Sequence, residues 1–238
     1  MRDACSTPYL LDPANENRER PMRVLRLWLP LAYVVFFAGL VLSILARCSD
    51  RAFRVEDGIL SDLFSRIDNP RGYLIACSAI TICGLALLPV ASFIQQRLHG
   101  ASRLSAVSGW LYRLGVFATI AVGLTTPFQR PYVAVHIYLS FFSFMAMVAG
   151  LMLGFAAVAR TTRAGKSFLW WLAAMQVAFL LFLGYLLVKP GFFHNRRDAL
   201  AICEWVMCIS IGLCTTLLAI ALPRSSQDIP RRLAVGTG

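Results

Sequence analysis

The chain has 238 residues, 58% of them hydrophobic and only 15% charged, with a formal net charge of +11 and a mean hydropathy of +0.66. A soluble domain carries roughly 25% charged residues, so this composition excludes an ordinary soluble fold and points to a bilayer as solvent. The positive balance does not point to nucleic acid, because no basic, aromatic-interleaved soluble segment is present; Arg and Lys flanking membrane helices account for it.

Residues 1–22 read as a polar, disordered cytosolic tail. Six apolar runs follow, at 25–46, 73–94, 106–128, 133–159, 168–188 and 199–222, and residues 223–238 form a second tail. Each run reaches the ~20 residues that cross a ~30 Å hydrocarbon core at ~1.5 Å per residue. Backbone in lipid must satisfy its own hydrogen bonds, which leaves helices or a closed barrel. Alternating strands of ~10 residues are absent, so the expected fold is an all-α bundle of six transmembrane helices spanning residues 23–222. The first run is not read as a signal peptide, since a long polar stretch precedes it and it exceeds the roughly 7–15 residues of a signal core.

The first outer loop, residues 47–72, is the longest connection and alternates Asp50, Arg51, Arg54, Glu56, Asp57, Asp62, Arg66, Asp68 and Arg71. Long loops in compact domains are often functional. The other connections are short, so successive helices should pack as antiparallel neighbours. Pro89 in the second run should kink its helix. Arg and Lys number 14 on the side of the N-terminus and 9 on the other, which places both termini in the cytosol. The seven cysteines show no CxxC pair and no even exterior set, so packing accounts for them better than a disulfide framework or a metal site.

Away from the ends of the apolar runs, three charged or histidine residues fall inside them: Arg113, His136 and Glu204. Arg113 can snorkel toward the cytosolic surface, with Trp110 and Tyr112 as interface anchors. Glu204 is harder to dismiss, because an acid at the centre of a membrane helix costs ~2.5–3.5 kcal/mol and usually faces the bundle interior. At helical spacing it shares a face with Cys208, Gly212 and Thr215. His136 shares one with Ser140, Ser143, Met147, Gly150 and Gly154, and the Gly150–Gly154 spacing is the kind that lets helix backbones approach closely. Both helices start on the outer side, so His136 and Glu204 share a depth. Ser61, Asp62 and Arg130, with His194, Arg196 and Arg197, belong to the same end. The candidate polar pocket is therefore Ser61, Asp62, Arg130, His136, Ser140 and Glu204, with Gly150 and Gly154 as packing residues. Three readings of it stay open: a His–Glu pair that only locks helices, a pocket for a lipid headgroup or ion, or a chemical site.

Certain short motifs resemble a known family. The run Leu60-Ser61-Asp62-Leu63 is similar to the Ile-Ser-Asp motif of the DRAM (damage-regulated autophagy modulator) family. Val133-Ala134-Val135-His136 with Phe144 resembles the start of its fourth helix, and Ala201-Ile202-Cys203-Glu204-Trp205 the opening of its last. Where that family usually continues after Asp62 with Thr-Gly and a Pro-Pro-Glu segment, this chain has Leu63-Phe64 and Asn69-Pro70-Arg71, a departure that also looks like a bacterial six-helix family of unassigned function. The DRAM resemblance implies six helices across the whole chain. Its relatives include a protein of GPI-anchor lipid remodelling and a regulator of plasma-membrane phosphoinositide. It leaves plasma membrane and endomembrane, lysosome or Golgi, open.

Three functional classes follow. One is a non-catalytic modulator of membrane lipid or autophagy-type processes, acting through membrane lipids or a membrane-protein partner. The others are a lipid-remodelling enzyme, with Glu204 or Asp62 as acid or base beside His136, and a small proton-coupled transporter. The sequence favours the modulator. No cofactor is expected, no nucleophile signature or HExxH spacing occurs, and a transporter would carry more intramembrane charge.

Overall fold

The computed structural model describes residues 13–48, 60–98, 103–125, 132–161 and 196–222, and every regular element among them is helical. Five α-helices run in order: α1 (Pro13–Cys48), α2 (Tyr73–Leu98), α3 (Arg103–Thr125), α4 (Tyr132–Thr161) and α5 (Arg196–Ala221). One 3₁₀ turn, Leu60–Phe64, precedes α2. Among the described residues, four helical segments are long and apolar enough to cross a membrane: Leu27–Arg47, Tyr73–Leu98, Arg103–Thr125 and Tyr138–Val158. The apolar part of α5, Glu204–Ile220, is shorter. The fifth apolar run, 168–188, lies outside the described residues. The architecture is that of an integral membrane helical bundle.

The helices keep the positions of the apolar runs to within a few residues, with one difference at the start. The tail expected over residues 1–22 is helical from Pro13 onward. Proline is well placed at a first helical position, where its missing N–H costs nothing. Ala14, Glu16, Arg18, Glu19 and Arg20 that follow are good helix formers. Composition marked this stretch as too polar for lipid, which says nothing against a polar helical turn outside it. α2 runs unbroken through Pro89.

Neighbours in sequence are neighbours in space: α1 packs on α2, α2 on α3 and α3 on α4, while α5 closes the bundle against α4, with contacts to α1 and the 3₁₀ turn. The core between them is apolar, built around Leu40, Leu63, Val90, Ile94, Val116, Phe155 and Leu218. Large apolar side chains also cover the outside, among them Leu45, Leu85, Phe141 and Ile220. A water-soluble monomer rarely shows contiguous apolar surface of that extent; a bundle solvated by lipid requires it.

Close backbone approach fixes the half of the bundle nearest residues 99–102. A Cβ on Gly150 would lie 2.6 Å from the Tyr112 backbone nitrogen, so α3 and α4 touch where that glycine sits. Ser108 Oγ donates to the Gly150 carbonyl at 2.7 Å, tying the same crossing. Tyr112 does not anchor the interface. It is fully buried, and its hydroxyl pairs with Thr215 Oγ1 of α5 at 2.9 Å. Helical spacing explains this: Trp110 and Tyr112 are two residues apart, hence on different faces, and only Trp110 is exposed.

Candidate functional site

At the opposite end the helices part around a cavity of about 110 Å³. Its wall draws on every described helix: Tyr33 and Phe36 of α1, Cys83 and Leu87 of α2, Thr119 of α3, Phe144 and Met147 of α4, and Ile211 of α5. Leu60 and Phe64 of the 3₁₀ turn also line it. Most of this surface is apolar. His136, Ser140 and Glu204 contribute its strongest polar groups.

His136 sits one turn into α4 and is 6% exposed. Its ring lies against Phe64, centroids 5.8 Å apart and planes tilted by 31°. Ser140 Oγ is 3.5 Å from Nε2, at the outer limit for a hydrogen bond, so that contact is weak. The face predicted to run inward from His136 does so: Ser143 Oγ donates to the Gly115 carbonyl at 2.9 Å and meets Thr119 Oγ1 at 2.7 Å. Below these lie Gly150 against Tyr112, and Gly154 against Leu218 and Ser108. Glu204 is half-buried on α5. Its face also points in, with Cys208 and Gly212 on the cavity wall and Thr215 bonded to Tyr112.

The other sequence candidates have different placements. Asp62 is half-buried in the 3₁₀ turn but does not line the cavity; the apolar ends of that turn, Leu60 and Phe64, do. At about 120° per residue the middle of such a turn points well away from either end. Ser61 lies in the same turn, its side chain outside the described set, and Arg130 and His194 lie outside the described residues.

Two features escaped the sequence reading. Tyr33 lines the cavity, and its hydroxyl donates to the Gly212 carbonyl at 2.9 Å, joining α1 to α5. A phenol in mid-run was the available signal, since a buried Tyr hydroxyl needs a partner. The second is Asn69, fully buried in the connection that leads from the 3₁₀ turn to α2. Its amide nitrogen donates to Ser43 Oγ at 2.8 Å and to the Leu63 carbonyl at 3.0 Å, and its Oδ1 accepts from the Gly72 nitrogen at 3.0 Å. Ser43 in turn donates to the Gly72 carbonyl at 2.9 Å. Asn69 thus fastens the turn that roofs the cavity onto α1 and α2. In Asn69-Pro70-Arg71 the proline reads as loop punctuation, which hides this role.

Comparison of the chain with protein-family models, with curated proteins and with solved structures gives no match.

Proposed function

We propose that this chain is a non-catalytic membrane modulator that holds the polar–apolar junction of a lipid in the cavity beneath the Leu60–Phe64 turn. In this reading it has six spanning helices, the run 168–188 supplying the one not described, and both termini face the cytosol as the Arg and Lys distribution favours. The observation that carries the proposal is that His136, Ser140 and Glu204 all line one mostly apolar cavity, alongside the hydroxyl-bearing Tyr33 and Thr119. Ligand sites generally have this make-up, apolar walls with a few convergent polar groups.

Size narrows the ligand. The cavity holds about 110 Å³, against about 150 Å³ for an apolar cavity that accommodates benzene. It takes a few carbons and one polar group, not a whole phospholipid. A hydroxyl or amine that donates to Glu204, with its adjoining carbons against Phe36, Leu87 and Phe144, fits that volume. The DRAM resemblance points the same way, toward lipid-linked and autophagy-type regulation, and the comparisons add nothing to it.

The test is the lipid that accompanies the protein through purification in mild detergent, measured by mass spectrometry. Wild type should carry one lipid class in near-stoichiometric amount, and Glu204→Gln and His136→Ala should each lose it while remaining folded. Lipid profiles that are the same for all three proteins would contradict the reading.

A further inference from the structure

The end of the bundle away from the cavity carries a cation that the proposed ligand does not use. Arg113 lies on α3 in a helical stripe with Trp110, Leu114 and Phe117. Those three are exposed by 54%, 45% and 46%, which in a membrane bundle means facing lipid. Charge on such a face is costly unless something answers it.

The protein answers it in part. An Arg113 Nη1 hydrogen goes to Gln95 Oε1 of α2 at 3.0 Å. The guanidinium carbon stands 5.9 Å from the Trp110 ring centroid and 5.7 Å from that of Phe117, within cation–π range. The Nε hydrogen is buried with no hydrogen-bond partner among the described residues. A guanidinium offers five N–H donors, and among the described residues none of them meets a carboxylate. The charge is framed by aromatic faces and remains a net positive charge.

Its depth is set by the helix pairing. A Cβ on Gly109 would lie 2.8 Å from the Gln95 Cα, so Gln95 is level with the turn of α3 that precedes Arg113. The guanidinium has therefore reached back one turn, toward the end of α2 at Leu98. Gln95 is about 4.5 Å along the helix from that end, at ~1.5 Å per residue. A lipid headgroup can meet it there, with Trp110 at the level where indoles favour the interface.

We propose that Arg113 and Gln95 hold the phosphate of an anionic phospholipid, whose chains lie along Leu114 and Phe117. The guanidinium fork suits the two free oxygens of a phosphodiester. The uncompensated positive charge selects a headgroup that is negative overall over one whose choline cancels the phosphate.

Thermal unfolding of the full-length protein in detergent tests this, with added dimyristoyl phosphatidylglycerol, dimyristoyl phosphatidylcholine or dimyristoyl glycerol. Wild type should be stabilised by the phosphatidylglycerol and far less by the other two. The phosphatidylglycerol needed for half the shift should rise about tenfold in Arg113→Gln, a loss of one charge-assisted contact, and less in Arg113→Lys. His136→Ala should leave the shift intact, which separates this site from the cavity. An equal response of wild type to all three lipids would overturn the proposal even if Arg113→Gln failed to fold. An undiminished response in Arg113→Gln, or its loss in His136→Ala, would overturn it as well.

Discussion

The two ends of this bundle solve the same problem in opposite ways. Toward residues 99–102, glycines and serines draw the helices into backbone contact: Gly150 on Tyr112, Gly109 on Gln95, Ser108 on the Gly150 carbonyl. Within the apolar stripe of α3, Arg113 is turned outward between two rings. At the other end the helices stand apart around a cavity, and strong polar groups, His136 and Glu204, are turned inward. Glycines meet neighbouring backbone here too, Gly123 at the Cys77 carbonyl and Gly72 at the Ser43 carbonyl, and side-chain hydrogen bonds add to that contact, with Asn69 and Tyr33 as fasteners. Lipid tails are as apolar as a protein core, so close packing and hydrogen bonds are what hold membrane helices together. Close packing serves both halves, and the half with the cavity adds the polar fastening of Asn69.

The largest expected effect is at the dense end. Gly150→Leu forces side-chain atoms into the Tyr112 backbone, and overpacking of that kind costs about 3 kcal/mol or more. Gly154→Ala should cost under about 1 kcal/mol, because its Cβ would meet only the ends of Leu218 and Ser108 at 2.9 Å, which can give way. Thermal unfolding in detergent should rank the two variants in that order; equal losses would mean that α3 and α4 do not touch at Gly150.

A smaller effect is expected from Asn69→Ala. It leaves the Leu63 carbonyl and the Gly72 N–H without their side-chain partner inside the protein, at a cost of about 2 kcal/mol. The loss should be local. Hydrogen exchange should quicken over residues 60–72 while α3 and α4 keep their protection. Uniform acceleration across the bundle would erase the distinction between a packed end and a fastened one.

Helix positions and inward faces were legible in the sequence, while single contacts at either end were not. Apolar run lengths place α2, α3, α4 and α5 within a few residues, because the bilayer imposes length and hydropathy together. The inward faces of His136 and Glu204 follow from helical spacing and the cost of burying them. Asp62 was not placed correctly by the same logic, since a 3₁₀ turn has no long apolar face from which to read direction. Tyr112 was misassigned because an aromatic near a helix end serves equally as an interface anchor or as a buried phenol with a partner. Only the position of Thr215, 103 residues away in sequence, decides between them.

Occupancy of the cavity is probed by filling it while leaving His136 and Glu204 in place. Ser140 lies on the wall one turn from His136, and Ser140→Leu exchanges its hydroxyl for apolar carbon and adds roughly two heavy atoms there, enough to consume much of a cavity below benzene size. Ser140→Leu should keep or raise thermal stability and lose the lipid that co-purifies with wild type. A Ser140→Leu protein that is folded and carries the same lipid in the same amount would contradict it.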